Sequence, residues 1–246
     1  MKNVFITIPA FREHRNIVQL CEKIQLIDTK DYNFNILIVD DSDDLKTLNA
    51  FKVKKLKKDV LIEKRSKKLG RGSAVLLGMN NFISNNQDNE IFVEMDADHS
   101  HSVDELLRNL NFFSKNNLDL LISSRYLKKS KILNWPISRR IFSKFSNKLT
   151  KITLGVPVSD YTNGYRIYSR KAIHHTVKNC GKIGDGFIIL SEILVQLYYN
   201  KFKVGEIDSL FVNRVRGESS VTFKEIKNSL KGLIKLFFIK QDLNNL

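Results

Sequence analysis

Short apolar runs that stop at acidic or polar residues alternate along the first half of the chain with stretches whose apolar residues recur every three or four positions. Residues 3–8 (N-V-F-I-T-I) read as a strand that Pro9 closes, and Ile17, Leu20, Cys21, Ile24 and Ile27 follow at helical spacing. Residues 34–39 (F-N-I-L-I-V) make a second strand. It runs into Asp40, Asp41, Ser42, Asp43 and Asp44, whose side chains suit the start of a helix carrying Leu45, Leu48 and Phe51. A short third strand at 60–62 leads through the basic loop Lys68-Leu69-Gly70-Arg71-Gly72-Ser73-Ala74 into a helix reaching Phe82. Residues 91–95 form a fourth strand, Leu106, Leu107, Leu110 and Phe113 a helix, and residues 118–122 a fifth strand. This alternation predicts an α/β fold, a Rossmann-like and mainly parallel sheet with helices on both faces. Parallel strands share their carboxyl edge. Asp40 and Asp41 should therefore lie beside Asp96 and Asp98, at the edge where open α/β sheets bind ligands.

Beyond residue 126 the alternation breaks. Residues 128–136 form a polar, basic loop with the only tryptophan, Trp135, and Arg139 and Arg140 then open a helix with Phe142, Phe145, Leu149 and Ile152. Residues 159–166 (S-D-Y-T-N-G-Y-R) are turn-rich and dense in groups suited to a sugar. A helix carrying Glu192 runs to Tyr199, residues 202–212 read as one or two strands, and residues 213–220 as a basic loop. The stretch 223–239 is helical and mixes Lys224, Lys227, Lys231 and Lys235 with Leu230, Leu233, Ile234, Phe237 and Phe238. No internal repeat or low-complexity linker appears. The expected organisation is one domain over residues 1–221 and an amphipathic basic C-terminal helix over 222–246.

Composition narrows the partners. A 42% hydrophobic content is ample for a core, and a net charge of +15 attracts phosphorylated substrates, anionic membrane surfaces or nucleic acid. No nucleic-acid motif is present and acidic strand ends interrupt the basic surface, so nucleic acid is not an expected partner. Cys21 and Cys180 make no disulfide framework and fit a reducing compartment. The opening residues are broken too early by Pro9 for a signal peptide, and no long uncharged apolar run encodes a transmembrane helix.

The candidate chemistry centres on Asp96 and Asp98, one residue apart where a buried strand emerges. Two hard oxygen ligands suit Mg²⁺ or Mn²⁺, which fill their other positions with water and phosphate. The same pair also caps helices and solvates turns, so context decides. His99 and His101 beside it raise the alternative of a transition metal, since imidazole suits Zn or Fe.

That context is an ordered set of motifs: Ile8-Pro9-Ala10-Phe11-Arg12-Glu13, Val39-Asp40-Asp41-Ser42, Leu69-Gly70-Arg71-Gly72, Met95-Asp96-Ala97-Asp98-His99-Ser100-His101, Ser124-Arg125-Tyr126, Asn134-Trp135 with Arg139 and Ser143, Asp160 to Arg166, Glu192, and Arg214 with Gly217-Glu218-Ser219. The set resembles family 2 glycosyltransferases, specifically the polyprenyl-phosphate (dolichyl-phosphate) mannosyltransferase branch. The resemblance implies a GT-A fold, a nucleotide-diphosphate sugar donor and a polyprenyl phosphate acceptor. It implies nucleoside contacts at Pro9, Phe11, Glu13, Asp40, Asp41 and Gly70. Asp96 and Asp98 inherit the divalent cation, with Ser100 at the place of a third ligand. Arg125, Arg139, Ser143 and Arg214 inherit the acceptor phosphate, and Asp96, Asp98, Arg125 and Arg139 become the catalytic set. GDP-mannose is the donor that branch implies, with UDP-glucose the runner-up. Such an enzyme would be cytoplasmic and peripheral at the inner face of the membrane, with the C-terminal helix on the membrane surface or on a membrane-spanning partner.

A lipid phosphate is already an anionic nucleophile, so the chain's lack of a Ser-His-Asp or Cys-His constellation is expected. Metal and arginines would neutralise and align two anions, and attack from the far side of the anomeric carbon would invert it. A hydroxyl acceptor would instead need a carboxylate base, for which Asp160 and Glu192 are the candidates. A nucleotidyltransferase on a similar sheet would release pyrophosphate.

Overall fold

The computed structural model describes residues 1–54, 60–84, 89–184, 186, 188–213 and 223–244. Its strands are β1 (Lys2–Ala10), β2 (Tyr32–Asp40), β3 (Val60–Lys64), β4 (Asn89–Glu94), β5 (Leu120–Ser124), β6 (Lys131–Leu133), β7 (Arg166–Ser169), β8 (Val204–Asp208) and β9 (Leu210–Val212). Its helices are α1 (Ile17–Gln25), α2 (Lys46–Lys54), α3 (Arg71–Ser84), α4 (Leu106–Lys115), α5 (Ile137–Leu154), α6 (Arg170–Asn179), α7 (Ile188–Tyr199) and α8 (Phe223–Asn244). Seven strands form one sheet in the order β3-β2-β1-β4-β7-β5-β8, and β6 pairs with β9 beside it. Only β7 runs against its neighbours; β1, β2, β3 and β4 pair in parallel, as do β5 and β8.

The pleat sends alternate side chains to opposite faces. Val4, Ile6 and Ile8 of β1 join Ile36, Ile38, Val93, Leu20 and Leu110 in one core cluster, packed with α1 and α4. Phe5, Leu37 and Phe92 point the other way, into a cluster with Phe82, Tyr168, Ile173 and Leu194. Edge-to-face contacts link Phe82 to Phe5 and Phe92. Gly78 lets α3 approach β1 closely, because a Cβ there would meet the Thr7 side chain. The prediction of a mainly parallel sheet with helices on both faces agrees with this architecture.

Four elements depart from the expected pattern. β7 and α6 were not anticipated; β7 is four residues long, opens on a buried arginine and inserts between β4 and β5 through tertiary pairing alone. β6 lies inside the stretch expected as loop and depends on β9 for its partner. α8 is no free appendage: Leu236 is buried in the second core cluster, with Leu233 and Leu243 packed against it. The expected boundary between residues 221 and 222 lies outside the described residues. Among the described residues no helix is long and apolar enough to cross a membrane.

Candidate active site

The strand register puts the acidic ends on one edge. Ala10 is opposite Asp40, Asp40 opposite Lys64, Thr7 opposite Glu94, and Ser124 opposite Asp208. Chain leaving β1, β2, β4 and β5 there builds two banks, one acidic with a basic loop and one basic with aromatic walls.

On the first bank Asp96 keeps 27% of its side chain exposed and accepts from Arg71 Nε at 2.9 Å. Arg71 opens α3 from the glycine loop, where Gly70 takes a left-handed φ of 93°. The same guanidinium reaches Glu94 at 3.5 Å and donates to the Gly164 carbonyl at 3.1 Å. Burial opposes its charge, but Asp96 and Glu94 outweigh that and raise its pKa. Asp98 accepts from the Ser100 backbone N–H at 3.1 Å and from its hydroxyl, so Ser100 buttresses Asp98 directly. Two carboxylates one residue apart at an emerging strand end are the hard oxygen donors that suit Mg²⁺ or Mn²⁺; among the described residues no group of three or more His, Cys, Asp or Glu side chains is arranged to hold a metal ion.

His101 does not act as the transition-metal ligand that its position beside Asp98 raised. Its Nδ1 accepts the Asp96 backbone N–H at 3.0 Å, which puts the ring proton on Nε2, 3.0 Å from Asn163 Oδ1. Asn163 then donates to the Ser123 carbonyl, a pattern that orients its amide. The His101 ring stacks on Tyr165 at 5.2 Å and meets Phe211 edge-on. His99 adopts a left-handed φ of 59°, and burial lowers its pKa.

Asp40 and Asp41 have structural partners where nucleoside contacts were expected. Asp40 is fully buried, accepts from Ser42 N at 3.0 Å and sits 3.6 Å from Lys64 Nζ. Asp41 pairs in bidentate fashion with Arg65 and accepts the backbone N–H groups of Leu69 at 2.9 Å and Gly70 at 3.2 Å. Its carboxylate thereby shapes the glycine loop. Phe11 lies beneath Lys68 Nζ, 4.2 Å from the ring centroid. Asn16 donates to Glu13 at 2.6 Å, and Pro9 and Phe11 are half-buried.

On the second bank Arg125 forms a bidentate pair with Asp160, through Nε at 2.8 Å and Nη2 at 2.8 Å, and Nη2 also reaches Thr162 Oγ1 at 2.7 Å. Asp160 accepts three further backbone N–H groups, from Arg125, Thr162 and Asn163. Burial works against its ionisation, but Arg125 and these hydrogen bonds prevail and hold the carboxyl below its ordinary value. Such a carboxylate is a poor general base. Glu192, the other candidate base, is buried and accepts from the Lys182 backbone N–H at 3.3 Å, and burial raises its pKa. Residues 159–166 are mostly interior, a correction to the expected sugar-handling surface. Arg166 is fully buried and clamps the carbonyls of Asn163, Leu190 and Tyr161.

Arg139 stands more open, stacked 4.2 Å over Trp135 and 3.3 Å from Asn213 Oδ1. Ser143 accepts from the Tyr126 hydroxyl at 2.6 Å. Arg125, Tyr126, Ser130 and Ile132 line a cavity of about 260 Å³ with Arg140, Ile141 and Lys144 of α5. Arg214 lies outside the described residues. The residues missed beforehand are Arg71 as the partner of Asp96, Arg65 as the partner of Asp41, and Phe211. A cation entering a helix after glycine was visible for Arg71; nothing local marked the other two.

An α/β sheet with a D-x-D pair at its carboxyl edge, facing a basic, aromatic-walled bank, defines the GT-A class of glycosyltransferase fold. The comparisons agree. The chain belongs to glycosyl transferase family 2, whose family model matches residues 5–176. It is 31% identical over 235 residues, 95% of its length, to a dolichol-phosphate mannosyltransferase of Pyrococcus furiosus. It is 29% identical over 231 residues, 93% of its length, to a polyprenol monophosphomannose synthase of Mycolicibacterium smegmatis. The chain spans 63% of the first relative's length and 84% of the second's. Among solved structures it is similar to a glucosyl-3-phosphoglycerate synthase from Mycobacterium tuberculosis in complex with Mn²⁺, UDP and phosphoglyceric acid. The TM-score is 0.66 at 15% identity, covering 97% of this chain and 78% of that one.

Proposed function

We propose that the chain transfers mannose from GDP-mannose to the phosphate of a polyprenyl phosphate, inverting the anomeric carbon. One juxtaposition carries the reading: Asp96 and Asp98 beyond β4 face the Arg125 and Arg139 bank beyond β5, and the His101–Asn163 hydrogen bond joins the two. The names of the two relatives supply the substrate pair.

A phosphate monoester is anionic near neutral pH, so the site needs alignment and charge neutralisation more than a strong base. The carboxylates nearest to that role, Asp160 and Glu192, are both buried on internal partners. Pro9, Phe11 and Glu13, with the loop that Asp41 braces through Gly70, take the nucleoside. Arg125 and Arg139, beside Ser143, hold the acceptor phosphate against the repulsion of the diphosphate. Asp96 and Asp98 would hold Mg²⁺ or Mn²⁺, which would offset charge on the departing nucleoside diphosphate. The enzyme works at a membrane surface, as a peripheral protein on the cytoplasmic side.

The test is incubation with Mg²⁺, a polyprenyl phosphate and GDP-mannose or UDP-glucose in parallel. A mannosyl phosphoryl lipid and GDP are the expected products. Exclusive transfer from UDP-glucose would replace the donor, transfer to a hydroxyl would replace the acceptor, and pyrophosphate release would replace the reaction class.

A further inference from the structure

β9 stands outside the seven-stranded sheet, so the pairing of that sheet does not dictate its place. Its hydrogen bonds go largely to the segments that carry the site. The Val212 N–H donates to the Ser100 carbonyl at 3.2 Å, and His101 forms a bridge with Phe211. The Ser209 N–H donates to the Ser124 carbonyl at 3.1 Å, one residue before Arg125, and Ile132 of β6 lies opposite Phe211. The Asn213 N–H donates to the Leu133 carbonyl at 2.9 Å and its side-chain amide to the Asn134 carbonyl at 3.1 Å. Asn213 Oδ1 lies 3.3 Å from Arg139 Nη1. Glu105, just before α4, pins the start of the strand by accepting from Leu210 N at 3.0 Å and Ser209 Oγ at 2.8 Å.

In the middle of this strap the buried Phe211 ring packs against both banks. It meets the His101 ring edge-on at 5.8 Å and the Trp135 ring edge-on at 5.2 Å, and the Arg125 guanidinium carbon lies 5.4 Å from its centroid. Each neighbour holds a different part of the site. His101 Nδ1 fixes the backbone beyond β4 by accepting the Asp96 N–H. Arg125 is the buried member of the arginine pair, and Trp135 is the platform under Arg139. Phe211 offers no polar side-chain atom to either substrate, so its part is placement. A buried ring packed on three sides has little room to yield, and a shift of one bank is therefore passed to the other.

We propose that Phe211 is the positioning residue that couples the donor and acceptor sites, holding the Asp96–Asp98 loop through His101 and the acceptor arginines through Trp135 and Arg125. This rests on the proposed reading of the two banks and adds the link between them. Occupation of the donor bank by a nucleoside diphosphate with Mg²⁺ then alters the surroundings of Trp135. Trp135 is the only tryptophan of the chain, so its fluorescence reports on the acceptor bank alone.

The test follows Trp135 emission of the full chain as GDP and Mg²⁺ are added, with nucleotide binding measured in parallel by calorimetry. Wild type should show an emission shift that saturates with the calorimetric Kd. Phe211→Leu keeps most of the bulk and removes the ring. It should bind GDP within about threefold of wild type and show no emission shift. Its KM for a short, water-soluble prenyl phosphate should rise about tenfold, the worth of two edge-to-face contacts. Phe211→Tyr retains the ring and should retain both the shift and the KM. If Phe211→Leu folds poorly, Phe211→Met fills the same space and carries the same expectations. An emission shift that persists in these ring-free variants would overturn the proposal, as would a wild-type emission that ignores GDP and Mg²⁺. So would a loss of GDP affinity as large as the rise in the prenyl phosphate KM, which a general loosening of the site would produce. A ring-dependent shift in a protein that transfers no sugar to a lipid phosphate would leave the coupling standing and remove the acceptor assignment.

Discussion

Two arginines inherited from one motif pattern differ in what their loss would do. Arg125 is buried against Asp160, so Arg125→Ala strands a carboxylate inside the protein. Breaking such a pair costs about 3–5 kcal/mol, which denaturant titration should show as a lower unfolding free energy. Arg139 rests on Trp135 at the surface of the bank and is the cleaner probe of the acceptor. Arg139→Ala should raise KM for polyprenyl phosphate about 10- to 100-fold, the worth of a charge-assisted hydrogen bond, with nucleotide affinity unchanged. A loss of nucleotide affinity instead would assign Arg139 to the donor. Asp96→Asn and Asp98→Asn should each cut transfer about 100-fold or more, because on the proposed reading each removes a cation ligand. Asp98→Asn should leave Tm nearly unchanged, whereas Asp96→Asn also removes the carboxylate that pairs with Arg71, whose side chain is only 12% exposed, and should lower it. Wild-type turnover in either would end the metal assignment. Asp160 also sets a pH dependence. Its folded pKa lies below the ordinary 3.8, so its stabilisation is complete above that value and is lost as pH falls through the folded pKa. Acid titration of Asp160→Asn should lack that component.

At the scale of elements, the site is held by contacts between the start of α3 and the turn before β7. Arg71 donates to the Gly164 carbonyl, and a Cβ on Gly164 would collide with the Arg71 guanidinium. Gly164→Ala should push Arg71 off Asp96 and lower kcat, with Tm falling by only a few degrees, as about 1 kcal/mol would produce. An unchanged kcat would reduce Arg71 to a purely structural cation. α8 behaves differently from the expected surface helix. Because Leu236 sits in the core, deleting the helix would unfold part of the domain, and point changes are the sound way to probe it.

For the whole molecule, the charge of +15 is the dominant long-range property. A dianionic nucleotide-sugar donor approaching such a surface is steered, so kcat/KM for the nucleotide sugar should fall as ionic strength rises from about 0.01 to 0.15 M, where the Debye length shrinks from about 30 to 8 Å. A flat profile would mean that the cations sit away from the approach path. Cys21 and Cys180, the two cysteines, are both free and buried, and burial pushes the Cys21 thiol up to about 12, so neither is a reactive thiolate.

The alternation of apolar runs and helical spacing was enough to determine the α/β class, the order of the first five strands and the shared edge of Asp40 and Asp96, because burial of one face imposes those periods locally. Asp96 and Asp98 stood out because the fourth apolar run breaks at them, whereas Arg125 and Arg139 became candidates only through the resemblance to a known family. Pairings between distant residues were decided only by the tertiary structure. β7 is four residues whose partners lie 72 to 78 positions away in β4 and 44 to 48 positions away in β5, so no local period announces it.

 The Arg125–Asp160 pair, the Arg71 bridge to Gly164 and the His101–Asn163 link likewise join residues that are far apart in the chain. Helical spacing identified α5 as amphipathic, and only the packed structure decided that its apolar side faces outward, because the core was already closed by β-sheet, α7 and α8.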